Sequence, residues 1–198
     1  SPVSTGSRTG PDIVKISYKG SDGNVVTGPW RDITADAIAS GLPWRTFPWY
    51  LGQKNYSGLY WCATQGALVG YESRLELSRL MLADFDTNVT AIASQPCQMR
   101  WVVGVSRVRR IPDYLVCTRS GPVIIDVKSA RSLQNPDIAG VLDTTRGMVE
   151  ACGWRYEIAS EPAKVEFANV RFLAGYRRPE LFDPEILSGI RESVLDAG

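Results

Sequence analysis

There is not one histidine among the 198 residues of this chain. That absence removes Ser-His-Asp and Cys-His catalysis, because both need an imidazole to carry the nucleophile's proton. It also removes zinc held by mixed Cys/His ligands. Cysteine is sparse: Cys62, Cys97, Cys117 and Cys152 stand singly, and no CxxC pair occurs. A chain of this size needs no disulfide staples, so four reduced, mostly buried thiols are expected. No apolar run approaches the ~18 residues of a membrane-spanning helix, and the sequence does not open like a signal peptide. A soluble, cytoplasmic protein without a membrane partner is the expectation. Whatever chemistry exists falls to carboxylates, lysines and metal.

Acidic residues are missing locally. None lies between Asp36 and Glu72, and none between Asp86 and Asp113, a gap that contains Arg100, Arg107, Arg109 and Arg110. Arg171, Arg177 and Arg178 form another basic group. Acid-free stretches of this kind make local positive patches on a chain whose net charge is only +1. They are either a polyanion surface or a solvated hairpin.

What is present is an ordinary globular composition, with 44% apolar and 22% charged residues. It suits one domain with decorations. Residues 1–10 are polar and Gly/Ser-rich and predict a mobile tail. Residues 11–66 form an aromatic-rich extension, a wrapping segment or short strands. Its Trp44, Phe47, Trp49, Tyr50, Tyr56, Tyr60 and Trp61 serve either packing or base stacking. Residues 67–161 form the core and 162–198 a helical extension.

Within the core, "YESRLELSRLMLADFD" predicts a helix by composition. Its Glu72, Glu76, Arg79 and Ala83 share a stripe flanked by leucines, so the two glutamates either face a cleft or pair with Arg79. "QPCQMRWVVG", "RRIPDYLVCT" and "PVIIDVKSA" predict three strands, the last two joined through "RSG". A helix follows, capped by Asn135, opened by Pro136 and ended at Gly153. "WRYEIAS" alternates as a fourth strand. Helix, three strands, helix, strand predicts an α/β fold, a mixed sheet with at least one parallel pair flanked by helices. Helices are also expected over "AKVEFANVRFLAG" and from Asp183-Pro184 onward.

Strand residues alternate faces, so in "VIIDVKS" Val123, Ile125 and Val127 point one way and Ile124, Asp126 and Lys128 the other. Two charges on an otherwise apolar strand face need partners. Asp113, across the turn, can converge with Asp126 at one end of the sheet. Two aspartates and the Val127 carbonyl would then hold a hard cation such as Mg²⁺. Lys128 would orient or help deprotonate an attacking water, and Glu76 would hold a second metal or a metal-bound water. The bland alternative is a structural salt bridge among edge charges.

At these residues the chain resembles the PD-(D/E)xK nuclease superfamily, the restriction-endonuclease-like fold. Within it the chain is similar to the TnsA-type endonuclease subunit of heteromeric transposases. "ESRLE" leading into "LADFD", Gln95-Pro96, "IPD" at 111–113, "IDVKSA" at 125–130 and "NVRFLAGYRRP" at 169–179 carry the resemblance. It implies Mg²⁺-dependent cutting of the 5′ ends of a transposon in double-stranded DNA, with Mn²⁺ able to substitute. It also implies a DDE-type transposase subunit and an AAA+ ATPase regulator as partners, in a bacterial cytoplasm, with nucleoid association on DNA. By motif, Glu76 is the helix carboxylate, Asp113 and Asp126 are metal ligands, and Lys128 is the catalytic lysine. Glu72 and Gln95 stand at the site edge, the latter alternatively capping a strand. Arg107, Arg109 and Arg110 are the expected phosphate contacts. A stand-alone restriction or repair nuclease, and a catalytically silent DNA-binding module of the same fold, are the rival readings.

Overall fold

The computed structural model describes residues 14–45, 56–177 and 182–196. The expected tail at 1–10, together with Phe47, Trp49, Tyr50 and Arg178, lies outside them. The chain forms two compact units, Ser1–Pro162 and Ala163–Gly198.

The first unit is a mixed α/β fold built around a four-stranded sheet. Its strands are β5 (Val89–Ser94), β8 (Tyr114–Thr118), β9 (Gly121–Val127) and β10 (Arg155–Ala159), in the spatial order β10-β9-β8-β5. β5, β8 and β9 run as an antiparallel meander, and β10 lies parallel to β9. The β8–β9 turn needs a glycine, because Gly121 sits at φ 110°. All of β9 from Val123 to Val127 is buried, as befits a strand covered on both faces.

The alternation predicted for β9 sorts its residues into two cores. Val123, Ile125 and Val127 pack with Leu80 and Ala83 of helix α2 (Arg74–Phe85). Cys62 and Val69, from the hairpin β3 (Gly58–Cys62) and β4 (Ala67–Tyr71), complete that layer. Ile124 joins Leu115, Tyr156 and the inner face of helix α4 (Pro136–Ala151), represented by Leu142 and Val149. Fully burying side chains such as Ile124, Ile125 and Leu142 contributes roughly 1.5–3 kcal/mol each.

That second core is closed by another four-stranded antiparallel sheet. It comprises β1 (Lys15–Lys19), β2 (Val25–Pro29), β6 (Gln98–Val103) and β7 (Ser106–Arg110), in the order β2-β1-β6-β7. Ile16, Met99 and Trp101 point inward from it, beside Ile38 of the short helix α1 (Ala35–Ala39). The three-strand expectation is corrected here. "QMRWVV" is a strand of this second sheet, and "RRIPDYLVCT" divides at Ile111-Pro112 into the end of β7 and the start of β8. The first strand of the central meander is instead "VTAIAS", whose small residues give a weak alternation.

Helix α4 forms where its signals lie. Asn135 Oδ1 accepts the Asp137 N–H at 2.9 Å, Pro136 occupies the first turn, and Gly153 follows the last turn at φ 81°. A short helix, α3 (Ala130–Leu133), precedes it. The second unit holds α5 (Lys164–Ala174) and α6 (Pro184–Asp196), with Asp183 Oδ1 accepting the Glu185 N–H at 2.8 Å. No described helix is long and apolar enough to cross a membrane.

Candidate functional site

Asp113 immediately precedes β8, and its carboxylate is fixed by the end of β9. Oδ2 accepts the Val127 N–H at 2.6 Å and the Lys128 ammonium at 3.3 Å. Lys128 Nζ also donates to the Val127 carbonyl at 2.9 Å. The Pro-Asp and Asp-x-Lys segments, 15 residues apart for the Asp113–Lys128 pair, therefore meet at one sheet end. Burial raises the Asp113 carboxyl above its ordinary value, opposed by the Lys128 charge and reinforced by that of Asp126.

Asp126 lies on the opposite face of β9 from Val127 and is 1% exposed. Its Oδ2 accepts Arg110 NH2 at 3.0 Å and the Tyr156 hydroxyl at 2.5 Å. Its Oδ1 is buried and takes no hydrogen bond among the described residues. Such an orphaned carboxylate oxygen is expensive in a protein interior unless a ligand or ion completes it. Burial drives the Tyr156 hydroxyl far above its usual range, and Asp126 pushes it further, so Tyr156 remains a donor.

Glu76 reaches the neighbourhood from α2, but its oxygens are engaged locally. Ser73 Oγ accepts the Glu76 N–H at 3.1 Å; in return the carboxylate accepts the Ser73 hydroxyl at 3.1 Å and the Glu72 N–H at 2.8 Å. This is a reciprocal N-terminal cap. Burial lifts the Glu76 carboxyl to about 7, with the Glu72 N–H opposing and the Asp113 charge assisting. Among the described residues, no group of three or more Asp, Glu, His or Cys side chains is placed to share a metal. Glu76 thus feels the charge of Asp113 without forming a three-carboxylate cluster with the two aspartates.

The remaining candidates distribute around this centre. Glu72 pairs with Arg45 at 3.6 Å, while Arg79 turns to Glu157 at 2.9 Å rather than to either helix glutamate. Gln95 is buried, its N–H bonds the Asp113 carbonyl at 2.8 Å, and its side chain accepts Arg45 at 3.2 Å. Its φ of 43° places a non-glycine residue in the left-handed region beside the candidate site. The arginine trio divides by strand alternation: Arg107 and Arg109 point outward and are exposed, whereas Arg110 points inward to Asp126.

The donor chemistry fits a hard divalent cation: Asp126 Oδ1, the Asp113 carboxylate and the Val127 carbonyl are all oxygens. One side chain, Tyr156, was missed from the sequence, and Arg110 was read as a phosphate contact rather than as the partner of Asp126. Tyr156 could have been found, because the parallel register pairs Ile158 with Asp126 and sets Tyr156 on the same face one step away. The inward turn of Arg110 could not, since it depends on where β7 ends. No protein-family model matches the chain, and no curated protein matches it.

Proposed function

We propose that the chain is a metal-dependent DNA endonuclease with a restriction-endonuclease-like core, acting as the TnsA-like, 5′-cutting subunit of a heteromeric transposase. The observation that carries the reading is the meeting of Asp113 and Lys128 beside a buried Asp126 whose Oδ1 lacks a partner. The helix–meander–helix–strand order of the central layer supports it, once the β6–β7 hairpin is counted as an insertion.

In this reading Asp113, Asp126 and the Val127 carbonyl hold Mg²⁺ or Mn²⁺. When bound, the cation polarises the scissile phosphate and lowers the pKa of water. The Val127 N–H fixes the Asp113 carboxylate, and Arg110 and Tyr156 fix that of Asp126. Lys128, anchored by Asp113 and the Val127 carbonyl, places a positive charge where it can orient the water or meet a phosphate oxygen. Glu76 supports the helix start from outside the ligand set and, with its carboxyl lifted to about 7, adds negative field only as pH rises past that value.

The test is plasmid cleavage with 5 mM MgCl₂ against EDTA. Asp113→Ala and Lys128→Ala should each lower the cleavage rate by at least about 100-fold, the usual scale for losing a positioned acid–base or electrostatic group, with unchanged circular dichroism. Cutting that survives both substitutions refutes the assignment. Cleavage by the chain alone favours a stand-alone nuclease, and dependence on an added DDE-type transposase favours the subunit. The AAA+ ATPase regulator enters as a partner only by the same resemblance. A second reading, a catalytically silent DNA-binding module, is favoured by the Arg110–Asp126 pair and the engaged Glu76. It predicts no cleavage with either metal.

A further inference from the structure

The outer face of the β2-β1-β6-β7 sheet carries a ladder of cations. In the antiparallel register Lys15 lies opposite Arg100, and Arg100 opposite Arg109, so three positive side chains form one row across three strands. Arg107 stands two residues from Arg109 on the same face. All four are exposed, and among the described residues no carboxylate pairs with any of them. The four strands contain no Asp or Glu at all. Among the described residues, Arg100 NH2 finds only the neutral Ser17 Oγ, at 2.9 Å. Like charges placed directly opposite one another destabilise a sheet. Here three adjacent strands carry them without an internal counter-charge.

Between these side chains lies an open cavity of about 590 Å³, lined by Lys15, Thr27, Arg100, Arg107 and Arg109 among others. Strands are spaced roughly 4.8 Å apart, so the three-cation row is about 10 Å long. Each strand of duplex DNA presents one charge per about 3.4 Å of axis, so such a row matches about three successive phosphates of one strand. The aromatic residues of the sheet, Tyr18 and Trp101, alternate to the opposite face and pack in the core. Among the described residues, the outer face of the four strands therefore offers no exposed ring on which single-stranded bases could stack; Trp101 borders the cavity but is only 3% exposed.

We infer that this face docks the phosphate backbone of double-stranded DNA, through Lys15, Arg100, Arg107 and Arg109. The choice of DNA among polyanions rests on the nuclease reading; the cation ladder does not. Arg110 has no part in it, being turned inward on the same strand. The contact is sequence-independent, since these groups offer charge and a fork of donors to phosphate rather than a helix or ribbon seated in a groove.

The experiment is fluorescence anisotropy of a labelled 30-base-pair duplex in EDTA, so that binding is read without cleavage, across 50–300 mM KCl. Replacing all four residues with Gln should weaken binding at least tenfold at 100 mM salt. The slope of log affinity against log salt should fall by about 3.6 if each side chain meets one phosphate, and by about 1.8 for Arg107→Gln/Arg109→Gln alone. Relief of like-charge opposition should leave the melting temperature of the variants equal to or above that of the wild type. The two-site variant serves if the four-site one does not fold. An unchanged salt slope overturns the inference. So does single-stranded RNA or an acidic polypeptide competing at lower concentration than the duplex. A wild-type chain that binds with the expected slope but never cuts refutes the nuclease and leaves this surface standing. Cutting with an unchanged slope does the reverse.

Discussion

Replacing Arg110 with Met is the most demanding test of how the candidate site is held. The Asp126 side chain is 1% exposed and that of Arg110 24%. One carboxylate oxygen takes both Arg110 and Tyr156, and the other is already unpartnered. Removing one member of a buried pair costs about 3–5 kcal/mol, because the remaining charge stays buried without compensation. Water reaches a quarter of Arg110, which argues for the lower end, about 3 kcal/mol. For a chain of this length that lowers the melting temperature by roughly 6–12 °C. Scanning calorimetry of R110M, D126N and the double variant closes a cycle in which the double variant should lose less than the sum of the singles, with a coupling of about 2 kcal/mol. A second arm adds 10 mM MgCl₂. If Asp126 is a cation ligand, Mg²⁺ replaces the missing positive charge and raises the melting temperature of R110M more than that of the wild type. A melting temperature within about 2 °C of wild type, below the smallest shift of ~1 kcal/mol, refutes the structural pairing. Equal responses to Mg²⁺ refute the ligand role.

Two further outcomes follow from ionisation. The Glu76 carboxyl, lifted to about 7 by burial, holds its proton in the folded chain between its ordinary value of 4.5 and 7, where the unfolded chain has released it. The folded state then binds more protons, so stability from this group is full below pH 4.5 and is lost as pH rises through 7. Urea unfolding of Glu76→Gln against wild type should therefore diverge in favour of the variant, by about 2 kcal/mol between pH 4.5 and 8 after discounting for partial exposure. Parallel curves refute this. The four thiols are free, and burial raises Cys62 and Cys97 to about 12 and Cys117 and Cys152 to about 11. At pH 8 a disulfide reagent should leave Cys62 and Cys97 unmodified until denaturant is added, with the less buried Cys152 reacting first. Rapid stoichiometric reaction of all four in native buffer refutes it.

The parts of the fold that rest on local rules were legible. Helix α4 was predicted by its cap, its first-turn proline and its glycine stop, and α2 by composition. The two faces of β9 followed from period-two alternation alone, because Asp126 interrupts a run that is otherwise buried on both sides. What escaped is non-local. "QMRWVV" has the composition of a central strand, but its partners β1 and β7 form a separate sheet, and nothing near in sequence says so. The true first strand of the meander, which carries the small Ala91 and Ala93, is sustained by pairing with β8 rather than by propensity. The site was partly readable for the same reason. Asp113 meeting Lys128 is a consequence of hairpin register, whereas the capture of Asp126 by Arg110 comes from a sheet whose existence was unforeseen.

That capture bears on which acids can carry chemistry. Glu76 cannot leave its cap without freeing the Glu72 N–H and the Ser73 hydroxyl, two donors at the start of the helix that backs the sheet. Asp113 accepts both its described hydrogen bonds on one oxygen, and Asp126 has one oxygen spare. The uncommitted acceptors therefore lie on the two aspartates, not on the helix glutamate. Strand alternation in β7 then acquires a consequence. Arg107 and Arg109 face outward where DNA would dock, and Arg110, the next residue in the strand, holds Asp126. A sheet pressed by a polyanion on its outer face thus presents its inner face to the carboxylate on which hydrolysis would depend. A nuclease so arranged should lose cleavage through R110M even where DNA binding persists. A silent module should lose only stability.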